Sequence, residues 1–61
     1  MNEQMLVAAV SIKNAIVALE AAVWEADESR VLAHLDTALA HTKAAKKHTK
    51  MVLERQIRDF E

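Results

Sequence analysis

The chain has 61 residues, of which 52% are apolar and 28% charged, and its formal net charge is −1. It contains no glycine, proline, cysteine or tyrosine, and twelve of its residues are alanine. This excludes a turn-rich β fold, whose tight hairpins need residues with positive φ, any disulfide scaffold, zinc ribbon or thiol nucleophile, and a globally basic nucleic-acid binder. What remains is one small all-α domain spanning residues 1–61.

The first residues, Met1-Asn2-Glu3-Gln4, bring no positive charge ahead of the apolar run that follows. A secretory leader wants a basic start, so this reading points to the cytoplasm. From Met5 to Trp24, 16 of 20 residues are apolar. Lys13, Asn14 and Glu20 interrupt that run, and a charge near a bilayer centre costs about 2.5 kcal/mol or more. A membrane is therefore not the favoured partner.

Within this run Met5, Ala9, Ile12, Ile16, Leu19, Val23 and Ala26 step alternately by four and three residues. That is the spacing of a helix seam. Leu6, Val10, Val17 and Trp24 lie beside it and widen the stripe, so the helix should touch more than one neighbour. Carried forward in phase, the pattern reaches Arg30, Ala33, Thr37 and Ala40, and Met51 is its only large apolar position. The second half has a seam of its own: Val31/Leu32, Leu35, Ala38/Leu39, Val52/Leu53, Ile57 and Phe60. The change of phase near residue 27 calls for a turn. Ala26-Asp27-Glu28-Ser29 is the polar tetrad that could make it, with Asp27 or Ser29 capping the second helix. Without glycine the first helix lacks the usual left-handed end, so the turn must be short or slightly strained.

The expected fold is an antiparallel two-helix hairpin, about 3–26 and 28–60. Such a hairpin has one helix–helix contact and none of the staples that rescue small domains. It should therefore associate into a four-helix bundle or a larger helical oligomer, with a homodimer favoured. The expected oligomer interface is Met5, Ala9, Ile12, Ile16, Leu19, Val23 and Trp24. The second helix outruns the first, and Val52, Leu53, Ile57 and Phe60 on that overhang form a candidate docking site for a protein partner.

His34, His41 and His48 repeat every seven residues, with Arg55 continuing the column. Seven helical residues span about 10.5 Å, too far for one metal ion. The column reads as a position flanking the seam, hydrogen-bonded across it, and no metal or other cofactor is expected. Residues 41–50 carry Lys43, Lys46, Lys47 and Lys50 with no acid. With His41 and His48 they are candidate anion-binding residues for RNA or a nucleotide. No aromatic side chain interleaves with them to stack on bases. Ser11 and Ser29 have no evident His and acid partners, so no catalytic site is expected.

In length and layout the chain resembles the Rop-type plasmid RNA-binding hairpins, with a local echo in Ala26-Asp27-Glu28. Those proteins bind RNA through a polar and basic face of their first helices. Here the first helix offers only Lys13, so RNA binding is not carried over. The second helix is similar to that of the phage anti-CBASS cyclic-nucleotide sponges in Ser29-Arg30, Leu35-Asp36-Thr37-Ala38-Leu39 and Ala44-Ala45. It departs from them in the spacing between these blocks and lacks their upstream aromatic and basic ligand residues, so no binding residue is assigned by that likeness. The resulting functional expectation is a small, non-enzymatic hairpin that self-associates and acts as a regulatory or inhibitory protein-binding adaptor, a size common among accessory proteins of phages and plasmids. The alternative is an anion binder using the Lys/His face of the second helix.

Overall fold

The structure, a computed structural model, describes the backbone of residues 2–60 and the side chains of residues 2–58. Two helices account for nearly all of it: α1, Glu3–Trp24, and α2, Glu28–Phe60. Alanine-rich sequence free of Gly and Pro leaves nothing to break either helix internally. Asn2 caps α1: its Oδ1 accepts from the backbone N–H of Gln4 at 2.7 Å and of Met5 at 3.3 Å. Both would otherwise be orphan donors.

α1 ends at Trp24, two residues before the end expected from the sequence. Glu25 leaves the helix in an extended conformation, φ −84° and ψ 128°, while its N–H still reaches Ala22 O at 3.4 Å. No described residue has positive φ. The turn therefore closes through extended backbone over residues 25–27, short as expected of a chain without glycine. Asp27 then starts α2. Its Oδ1 accepts from the Ser29 N–H at 2.9 Å and from the Ser29 hydroxyl at 2.7 Å, and its backbone O accepts from Val31 N at 3.0 Å. The Asp27 N–H donates in turn to Glu25 Oε1 at 3.1 Å. The Ser29 hydrogen bonds hold the Asp27 carboxyl below the usual carboxylate range.

The two helices pack antiparallel along one seam. The buried residues of α1 are Ala8, Ser11, Ala15 and Ala18, and those of α2 are Ala38, Ala45 and Val52. Half-buried Gln4, Ala22 and Glu25 extend the first row, and Val31, His34, His41 and His48 complete the second. Each row steps by three and four residues, so this is a heptad seam made of small and polar side chains. The stripe Met5–Val23 read from the sequence is a different one. It lies about 100° round α1 from this seam at 3.6 residues per turn. On α2 the seam takes Val31, Ala38 and Val52 and leaves their larger neighbours Leu32, Leu39 and Leu53 outside, at 65%, 53% and 55% exposure. Alanine on both helices lets the backbones approach closely, and a leucine in those places would hold them apart.

The molecule measures 52 × 17 × 11 Å over its Cα atoms. It is a plate two helices wide and one helix thick. Its radius of gyration, 14.7 Å, is well above the roughly 10.5 Å of a compact chain of this length.

Candidate interaction surfaces

A plate one helix thick has two broad faces, and the seam fixes what each carries. In an antiparallel pair, the positions that flank the seam on one side of the first helix lie beside the equivalent positions of the second. On one face, called here the aliphatic face, α1 presents Met5, Ile12, Ile16, Leu19 and Val23. α2 presents Leu32, Leu35, Leu39 and Leu53, interrupted by Thr42, Lys46 and Thr49. The opposite face carries Val7, Val10, Val17 and Trp24 of α1 with Ala33, Ala40, Ala44 and Met51 of α2.

Most of these side chains are open, while Met5 and Ala44 are half-buried. Ile12 and Ile16 are each 49% exposed and Leu19 46%, while Trp24 is 87% exposed. No large side chain is fully buried among the described residues. Of the expected oligomer interface, Met5, Ala9, Ile12, Ile16, Leu19 and Val23 therefore share one face, whereas Trp24 stands on the other.

The histidine column lies in the seam itself, between the alanines of α2. His48 Nδ1 meets Gln4 Oε1 across the helices at 2.5 Å. That contact sets the register: counting along both helices brings Ser11 level with His41 and Ala18 level with His34. His34 Nε2 lies 3.8 Å from Glu25 Oε2, an ion pair only when the imidazole is protonated. His34 and His48 thus each reach a polar group on the α1 side, as expected for a column bonded across the seam. The signal in the sequence was the coincidence of the seven-residue histidine repeat with the repeat of Val31, Ala38, Ala45 and Val52, three residues before a histidine or four after one.

The candidate anion-binding residues do not form one cluster. His41 and His48 are turned into the seam, while Lys43, Lys46, Lys47 and Lys50 are exposed and point to several sides of α2. The lone ion pair among the described residues is His34–Glu25, so none of these lysines is salt-bridged there. Among the described residues there is also no group of acidic and histidine side chains placed to hold a metal.

The overhang divides as well. Val52 is buried at 9% exposure against α1, so it is part of the seam and unavailable to a docking partner. With Gln4 level with His48, Val52 stands one helical turn past Gln4 and closes the end of the seam, lining the same groove as Gln4. Leu53 and Ile57 remain open at 55% and 54%. The side chain of Phe60 lies outside the described residues. Beside them a groove of about 280 Å³ is lined by Gln4, Met51, Val52, Glu54, Arg55 and Arg58. Its charges are mixed and it is distinct from the lysine cluster.

α1 is by length and composition apolar enough to cross a membrane, with 17% of its most apolar window buried in the hairpin. Lys13 and Glu20 fall within the apolar run, at the outer edge of the plate. Comparison with protein-family models, curated proteins and solved structures finds no match.

Proposed function

We propose that this chain is a cytoplasmic, non-enzymatic helical hairpin that self-associates and works as a regulatory or inhibitory adaptor, holding another protein on helix surface that self-association leaves open. The observation that supports this reading most is the plate itself. Aliphatic side chains stand half-exposed on both of its broad faces, while the seam between its helices is built of alanine. Contiguous exposed aliphatic surface on a soluble chain marks an interaction site, and two faces offer two such sites. The placement of the two serines supports the non-enzymatic reading. Ser11 is buried between the helices, and the Ser29 hydroxyl is engaged in the α2 cap.

A second reading, an anion binder, draws support from the four exposed lysines without ion-pair partners among the described residues. Native mass spectrometry on protein purified gently from its host separates the two. A mass of two or more copies, alone or with an added polypeptide, supports the adaptor. Two or more copies carrying a few hundred additional daltons or an oligonucleotide support the anion binder. Its affinity should then fall steeply between about 50 and 200 mM salt as phosphate counterions are released. A single copy, or a chain that floats with lipid vesicles, overturns self-association in water.

A further inference from the structure

We infer that the aliphatic face is occupied by a second copy of this chain, and that both helices build the contact: Ile12, Ile16 and Leu19 of α1 with Leu32, Leu35 and Leu39 of α2. This rests on the self-association proposed above and names its surface.

The first argument is area. The chain exposes 5084 Å², whereas a compact monomer of this mass exposes about 4,000 Å². The excess of roughly 1,000 Å² compares with the roughly 800 Å² that each partner buries in a standard stable interface. One broad face covered by a copy of itself removes that excess.

The second argument is the composition of the two faces. Those six aliphatic residues are contiguous in the register set by Gln4 and His48, and they fill the half of the face nearer the turn. The same half of the opposite face has Val17 and Trp24 of α1 above Ala33, Thr37 and Ala40, so α2 contributes little to bury there. Polar residues border the aliphatic patch along its outer edges and at the free end of α2, while Met5 and Val23 extend it along α1. Thr42, Lys46 and Thr49 end it toward the free end, and Lys13, Glu20, Asp36 and Lys43 run along its outer edges. An apolar centre with a charged rim is the anatomy of a protein interface. Each edge carries both signs, α1 with Lys13 and Glu20 and α2 with Asp36 and Lys43. A two-fold copy can therefore meet itself without like charges opposing throughout. Two plates stacked this way give each helix two neighbours about 90° apart, the packing of a four-helix bundle.

The absence of cysteine makes a single introduced thiol unique. Ile16 and Val17 are adjacent in sequence, are 49% and 56% exposed, and lie on opposite faces. In a lone hairpin, Ile16→Cys and Val17→Cys should react with a maleimide at similar rates. In the inferred dimer Ile16→Cys reacts at least ten-fold more slowly, and the two rates converge on dilution into the single-chain range. Should Ile16→Cys lose helicity by circular dichroism, Leu35→Cys against Thr37→Cys repeats the comparison on α2. Equal rates, or a slower Val17→Cys, in a protein whose native mass is that of two or more copies would overturn the face assignment and leave self-association standing. A wild-type native mass of one copy would overturn self-association itself.

Discussion

The seam between α1 and α2 and the aliphatic face beside it divide the apolar residues unequally. The seam receives Ala8, Ala15, Ala18, Ala38, Ala45 and Val52, with Ser11 and three histidines among them. The aliphatic face receives isoleucines and leucines and leaves about half of each in water. A methyl group has little surface to transfer, whereas full burial of an isoleucine or leucine stabilises by about 1.5–3 kcal/mol. The intrachain contact therefore sets geometry, through close approach and the Gln4–His48 register, while most of the remaining burial energy is held outward. Under the proposed self-association, folding and association of such a chain are coupled. Ordering its backbone costs about 1–2 kcal/mol per residue, and an alanine seam alone offsets little of that.

The largest expected effect comes from charging the outward face. Ile16→Asp places a carboxylate at the centre of the aliphatic patch, where burial of an unpaired charge costs several kcal/mol. The variant should lose both the oligomer and most of its helicity, read by sedimentation and circular dichroism. A helical, single-chain Ile16→Asp protein would break the comparison, because the alanine seam would then suffice alone. Enlarging the seam should do less. Ala15→Leu overfills a close helix contact, and such overpacking costs about 1–3 kcal/mol. A lowered urea midpoint with the native mass retained is the expected result. An unchanged midpoint would mean the helices are not in close contact at Ala15.

The helices and the turn were legible in the sequence because each has a local cause. Gly-free, alanine-rich composition, the phase break near residue 27 and the capping residue Asp27 are all read along the chain. The seam was less legible because the strongest hydrophobic period points to a different stripe. Met5, Ile12, Ile16 and Leu19 give the stronger apolar period, yet Ala8, Ser11, Ala15 and Ala18 give the period that faces α2. In a two-helix chain the two stripes compete, and the smaller one permits the closer approach of the helices. The paired alternatives Val31/Leu32, Ala38/Leu39 and Val52/Leu53 resolve by the same rule, the smaller or branched member turning inward. The lysines of residues 41–50 are spread round the helix by their spacing alone, but the sequence groups them with His41 and His48. Helical rotation sends the histidines into the seam and the lysines outward, a separation that sequence proximity conceals.

The α2 cap is a smaller contribution and lies outside both surfaces. Hydrogen bonds from Ser29 lower the Asp27 pKa, so the folded state binds the Asp27 proton less tightly than the unfolded state does. The cap is therefore complete at pH values above the ordinary carboxylate range, and its stabilisation is lost as the pH falls through the depressed folded value. Asp27→Asn keeps an acceptor at the cap but removes the titration. Wild-type protein should thus lose more melting temperature on acidification than Asp27→Asn does. Parallel acid limbs would mean that the Ser29 contacts do not discriminate the charged carboxylate.

The smallest effect is expected where the chain looks most distinctive. Lys46 stands at the polar end of the aliphatic face and Lys47 on the opposite one, both exposed and neither salt-bridged among the described residues. Replacing both with glutamine removes two charges and no packed carbon that the hairpin itself buries. Exposed substitutions of this kind stay within about 0.5 kcal/mol, so the melting temperature should hardly move. The mass of the oligomer should not change either, because the aliphatic patch ends before Lys46. A large loss of stability in the single Lys46→Gln protein, absent from Lys47→Gln, would extend the interface beyond Leu39 toward the free end. The lysine stem would then be part of the contact, and the polar boundary drawn through Thr42, Lys46 and Thr49 would have to move outward to Leu53.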